Sequence, residues 1–126
     1  MIDMDGAPDL TQTIRCHCLA ARKRARALTR RYEAKLRRHG LRATQFSILA
    51  SLTIRGPRKM GDLAERLGLE RSTLTRSAAL LEAKGWVRTE RSGDGRERLL
   101  NVTEQGRAKV EAAFPDWKSV QDSIEA

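Results

Sequence analysis

The chain has 126 residues, 40% of them apolar, enough to bury one core and not two. Its 25 Lys and Arg against 16 Asp and Glu leave a formal charge of +9, which favours an anionic partner such as nucleic acid or a membrane surface. No apolar run approaches the roughly 18 residues of a membrane span, and two cysteines are too few for a disulfide framework.

Residues 1–10, MIDMDGAPDL, carry Asp3, Asp5 and Asp9, lack the basic-then-apolar order of a secretory signal, and read as a flexible arm. With two cysteines and no such signal, a reducing, cytoplasmic setting is expected. Thr11 or Thr13 can cap a long helix that runs to about His39 and ends at Gly40. Along it Ile14, Cys18, Ala21, Ala25, Leu28, Tyr32 and Leu36 recur at spacings of three and four, forming one apolar stripe. Residues 15 to 38 hold ten Lys and Arg against Glu33 alone, so the remainder of the chain is neutral overall. So narrow a stripe on so long a helix suits packing against other helices, including those of a second subunit.

A second helix begins at Thr44, with Phe46, Leu49 and Leu52 inward and Gly56-Pro57 as its stop. A short third helix, KMGDLAERLG, has Leu63, Ala64 and Leu67 on one face and breaks at Gly68. The fourth, ERSTLTRSAALLEAKG, buries Leu74, Ala78 and Leu81 and places Gly85 at its C-terminal cap. Trp86 to Glu90 and Arg98 to Val102 read as strands around Ser92-Gly93-Asp94-Gly95, a hairpin tip in which Asp-Gly supplies positive φ. Thr103 caps a fifth helix with Glu104 in its first turn. Val110, Phe114, Trp117, Val120 and Ile124 keep helical spacing, and Pro115 as the first residue of a new segment predicts a kinked or divided helix.

Residues 59 to 84 therefore give helix, turn and helix, followed at once by a basic hairpin: a winged helix-turn-helix in a mainly α fold. On the fourth helix, Ser72, Thr73, Thr75, Arg76 and Ala79 lie opposite the buried face. Short hydroxyls around one long cation can enter a major groove and bond base edges or phosphates, with Arg71 near the backbone. Arg91, Arg96 and Arg98 belong to a wing that reaches toward phosphates or into a minor groove. Taken alone, the hydroxyls would read equally as solvated helix positions. Their place beside the wing favours double-stranded DNA.

The run GLRATQFSILASL, then MGDLAERLGLERSTLTRSAALLEAKGWVRTERSGDGRERLLNVTEQGR, resembles the MarR family of transcriptional regulators across nearly all of the chain. The Asp-x-Arg pattern of that family's wing is matched by Asp94 and Arg96, and its helix cation by Arg76. The resemblance implies a homodimer interlocked through its first and last helices, residues 11–40 and 104–126, around a winged helix-turn-helix of residues 44–102, all within one domain of residues 11–126. It implies a repressor of a pseudo-palindromic operator, released by a small anionic or phenolic effector or by an oxidant. Asp94 can pair with the Arg96 guanidinium and hold it in one orientation, or it simply suits its turn. The chain ends about three turns after Pro115, shorter than the family's usual final helix; either the first helix carries more of the dimer or the sequence is incomplete.

Cys16, His17 and Cys18 in RCHC project about 100° apart on a helix and cannot all converge on one metal unless the helix frays there. Cys16, off the apolar stripe and in the first turns of a helix rich in cations, is a candidate redox sensor, whereas Cys18 lies on the stripe and reads as core. His17 and His39 have no nucleophile and carboxylate arranged around them, and neither a phosphate-binding glycine loop nor His-Glu-x-x-His occurs, so no catalysis and no cofactor are expected. A winged helix that binds protein instead of DNA is the alternative, and it would more often expose apolar anchors where this chain has Arg76, Arg91, Arg96 and Arg98.

Overall fold

The computed structural model describes residues 6–126, and the first half of the expected N-terminal arm lies outside them. The chain falls into two compact units, Met1–Arg31 and Tyr32–Ala126. Within the first, the Asp9 carboxylate accepts the Thr11 amide at 3.1 Å and the Thr11 hydroxyl at 2.6 Å, capping a 3-10 helix over Leu10–Arg15. The expected caps at Thr11 and Thr13 are thus corrected. A carboxylate two residues upstream is the stronger acceptor for the free amides, and the Thr13 hydroxyl is already committed to the Leu10 carbonyl at 2.8 Å. Cys16 is extended, with ψ of 123°, and α1 (His17–Leu36) starts only after it. The single long helix expected from residue 11 is therefore two helices.

Among the described residues of this first unit none is buried: Ile14 is 76% exposed and Cys18 is also exposed, against its expected place in the core. Ile14, Cys18, Ala21 and Ala25 of the stripe are exposed and Leu28 is half-buried, whereas its last members, Tyr32 and Leu36, belong to the second unit, where Leu36 is buried.

In the second unit a 3-10 turn over Arg37–His39 ends at Gly40, whose φ of 71° turns the chain into α2 (Ala43–Arg55). Glu33, the lone acid of the basic stretch, accepts the Ala43 amide at 3.2 Å and the Arg42 guanidinium at 3.3 Å. It thus satisfies an otherwise free donor at the start of α2. α3 (Met60–Leu67), α4 (Arg71–Ala83), β1 (Val87–Arg91), β2 (Arg98–Val102) and α5 (Glu104–Glu125) follow. The core is built from Ile48, Leu49 and Leu52 of α2, Leu63 of α3, Leu74 and Leu81 of α4, and Val87 and Leu100 of the hairpin. Each such side chain contributes about 1.5–3 kcal/mol of burial, which is what holds three short helices and a hairpin together.

Trp86, expected to open β1, instead ends α4. Its amide donates to the Leu81 carbonyl at 3.0 Å across Gly85, and Lys84 and Lys109 lie 4.7 Å and 5.1 Å from its ring. Thr103 caps α5 as expected, accepting the Gly106 amide at 3.0 Å.

The expected division at Pro115 does not occur: α5 is one helix through it. Val110 and Ala113 before the proline and Val120 after it are all buried, and Trp117 stacks on Phe46 at 5.8 Å. Packing on both sides keeps the helix continuous, while Pro115 sits on the exposed face, where the carbonyl it cannot serve meets water.

Candidate nucleic-acid interface

Gly68, with φ of 66°, makes the turn between α3 and α4, and the Leu69 amide closes it on the Ala64 carbonyl at 2.9 Å. This left-handed turn is cheap only for glycine, and it sets the angle at which α4 leaves α3. On α4, Arg71, Ser72, Thr75, Arg76 and Ala79 are exposed and Thr73 is half-buried. The Thr75 hydroxyl donates to the Arg71 carbonyl at 2.9 Å, which leaves its lone pairs facing outward. The Arg71 guanidinium passes over Gly61 of α3, where a Cβ would lie 3.2 Å from it.

β1 and β2 pair antiparallel, with Arg91 opposite Arg98 at the outer end. Beyond them the Ser92 amide bonds the Glu97 carbonyl at 2.9 Å and the Gly95 amide bonds the Ser92 carbonyl at 2.8 Å, with Gly95 at φ of 73°. Asp94 is the keystone of this tip: its Oδ1 accepts the Ser92 hydroxyl at 2.5 Å and the Arg96 amide at 3.1 Å. The Ser92 hydroxyl and then the Arg96 amide hold the Asp94 carboxyl below the ordinary carboxylate range.

The expected brace between Asp94 and the Arg96 guanidinium is not formed. Among the described residues no ion pair joins the two groups, and Asp94 orders the backbone beneath Arg96 instead of its side chain. A carboxylate two residues away in a tight turn reaches the amide before it can reach the end of a long side chain.

A groove of about 540 Å³ runs between α4 and the hairpin, lined among others by Arg71, Thr75, Ala79, Glu82, Glu97 and Arg98. Of the residues expected from sequence, Arg71, Thr75 and Arg98 meet in this groove, whereas Ser72, Thr73, Arg76, Arg91, Asp94 and Arg96 lie outside its lining. Lys59 and Glu97, also in it, were not expected. Lys59 Nζ lies 2.9 Å from Glu97 Oε1, and that hydrogen bond and charge raise the lysine above its ordinary value. Beside them Arg58 exchanges two backbone bonds with Leu100, at 3.0 Å and 2.9 Å, adding a one-residue third strand to the hairpin. No local signal in the sequence marks this pairing, which joins residues 42 positions apart. Among the described residues no cluster of three His, Cys, Asp or Glu could hold a metal ion, and no helix is long and apolar enough to cross a membrane.

The sequence model of the MarR family matches residues 39–97. The transcriptional regulator MosR of M. tuberculosis is 36% identical, with a TM-score of 0.79 over 89% of this chain and 82% of that one. The chain belongs to the MarR family. MosR solved with DNA is likewise similar, 38% identical with a TM-score of 0.77 over 86% of this chain and 80% of that one. Reduced AbfR bound to DNA is 28% identical with a TM-score of 0.73, over 87% and 80% of the two chains. The HTH-type transcriptional regulator YwoH of Bacillus subtilis is 32% identical over 87 residues, 69% of this chain and 64% of YwoH. The chain thus spans under two thirds of the length of that curated relative. As a member of the family, it places the helix-turn-helix at α3 and α4 and the wing at β1 and β2.

Proposed function

We propose that this MarR-family protein is a sequence-specific DNA-binding transcriptional regulator that acts as a homodimeric repressor. The observation that carries the reading is the juxtaposition of Arg71, Thr75 and Arg98 across one groove between α4 and the wing, flanked by exposed Arg76, Arg91 and Arg96. α4 enters the major groove with Ser72, Thr73, Thr75 and Arg76 toward base edges, and the wing arginines take phosphates or the minor groove. The relatives MosR and AbfR, both solved with DNA, support it. The bare stripe formed by Ile14 ahead of α1 and by Cys18, Ala21 and Ala25 on it supports a second copy as its cover, within the single functional domain of residues 11–126.

An apolar groove of about 350 Å³ lined by Phe46, Ala50, Ile54, Val110, Phe114 and Trp117 suits the ring of a small phenolic effector. An oxidant signal would enter at Cys16, exposed and free at the residue preceding α1.

The decisive experiment selects binding duplexes from a randomised pool and measures affinity for them against salt. One enriched palindrome, protected as two half-sites by a protein that sediments as a dimer, is expected, with affinity falling steeply as salt rises. No enriched sequence, or a flat salt response, refutes the reading. Treating the reduced protein with peroxide should weaken binding and leave a Cys16→Ser variant unaffected; identical behaviour of the two removes the oxidant role.

A further inference from the structure

The groove between α4 and the wing contains two acids, Glu82 of α4 and Glu97 of the wing, where a surface selected only for attraction to phosphate would have none. For Glu97, its place in the wing explains this. The tip, residues 92–97, is closed internally: Ser92 bonds Asp94, Asp94 bonds the Arg96 amide, and Glu97 exchanges backbone and hydroxyl bonds with Ser92 at 2.9 Å and 3.2 Å. A closed tip is ordered within itself but can still swing about the ends of β1 and β2, which pair over only five residues each. Among the described residues, the side-chain link from this tip to another element is the bond from Lys59 to Glu97 at 2.9 Å. Lys59 is the residue that immediately precedes α3, next to Arg58, whose backbone is fixed to Leu100. Lys59 therefore stands where α3 begins and where Arg58 joins the root of the wing at β2, away from the tip that it holds.

We propose that the Lys59–Glu97 pair is a clamp that fixes the wing tip beside α4, so that Arg96 and Arg98 meet the duplex in register with Thr75 and Arg76, and that Glu97 is a positioning residue for DNA recognition. The proposal rests on the DNA-binding reading and assigns the fit between wing and helix to a pair that adds nothing to net charge. Each partner is about half-exposed, at 50% and 48%, so the clamp is a modest bias on the wing's position and not a lock.

Simple attraction and the clamp predict opposite signs. Replacing Glu97 with Gln makes the groove more positive, and attraction alone then tightens binding to every duplex. The clamp predicts about two- to five-fold weaker binding to a duplex selected from a random pool by the wild-type protein, with binding to a scrambled duplex of equal length unchanged or tighter. The exchanged pair, Lys59→Glu with Glu97→Lys, restores the preference for the selected duplex. A second measurement needs no DNA: amide-proton exchange and nanosecond order parameters at residues 92–97 should show a looser tip in Glu97→Gln and recovery in the exchanged pair. Equal tightening on both duplexes, an exchanged pair that does not recover, or a tip whose order ignores Glu97 overturns the clamp. Failure of the wild-type protein to select any duplex overturns the functional reading instead, and the tip measurement then still decides whether the clamp exists.

Discussion

A methyl group placed on Gly106 would lie 2.0 Å from the carbonyl oxygen of Trp86 and 2.8 Å from a methyl of Val102. This is the point where the first turn of α5 presses on the exit from α4 and the end of β2, fastened by Thr103, whose hydroxyl donates to the Gly85 carbonyl at 2.6 Å. Alanine ordinarily stabilises a helix by about 1 kcal/mol over glycine. Here the obstacle is backbone that cannot step aside, so Gly106→Ala is expected to destabilise the protein by about 1–3 kcal/mol. Urea unfolding of the two proteins checks the sign; a higher midpoint for the alanine variant contradicts the packing described.

Much of this was legible in the sequence, and the division follows from the range of the forces involved. α2, α3 and α4 were readable because Phe46, Leu49, Leu52, Leu63, Leu74, Ala78 and Leu81 keep a helical period between Gly56, Gly68 and Gly85, and both signals are local. The bounds of β2 and the cap at Thr103 were readable for the same reason. The break at Cys16 was not, since the apolar spacing runs on through it from Ile14 to Cys18 and no Gly or Pro marks the extended residue. Nor was the passage through Pro115, which depends on contacts from Phe46, far away in the chain. At the candidate site the arginines and hydroxyls were visible as residue types, but Lys59 and Glu97 meet only through the fold, and the partners of Asp94 are chosen by the geometry of its turn.

The acid side of the stability curve should carry the mark of Asp116. His39 donates to its Oδ2 at 2.8 Å and Arg38 lies 3.9 Å from Oδ1, and the hydrogen bond from His39 followed by the charge of Arg38 holds its carboxyl below the ordinary value of 3.8 despite some burial. A depressed carboxylate stabilises the fold above its ordinary value, and that contribution is lost as pH falls through the lowered one. Asp116→Asn should therefore be less stable than the parent at neutral pH, and the two should converge as pH drops below 3.8. Unfolding midpoints measured through that window test this, and a gap that persists unchanged into strong acid removes the carboxylate as its source.

Asp94 makes a similar prediction at the wing, read through binding. Because its carboxylate gathers the Ser92 hydroxyl and the Arg96 amide, Asp94→Ala should loosen the tip and weaken binding to a selected duplex several-fold, even though a negative charge leaves the DNA-facing surface. Asp94→Asn should retain part of the loss-free behaviour, since an amide oxygen can still accept one of the two bonds. Tighter binding by the alanine variant would show that the charge of Asp94 outweighs its hold on the turn.

The cations of α4 and of the wing should separate by the kind of affinity they carry. Arg76 is exposed on α4 among Ser72, Thr73 and Thr75, so its loss removes a contact available to a base edge. Arg76→Ala is expected to cost about 1–3 kcal/mol on the selected duplex and to relax the preference at one position of each half-site. Arg91, Arg96 and Arg98 are exposed on the wing, where phosphates are the nearer targets. Each of their alanine variants should weaken both duplexes, the selected one more for Arg96 and Arg98, and lower the slope of log affinity against log salt by about 0.9. Titrations at several salt concentrations on both duplexes distinguish the two behaviours. If Arg76→Ala changes the salt slope without changing the ratio of the two affinities, the residue is a phosphate contact, and sequence must be read by the hydroxyls beside it.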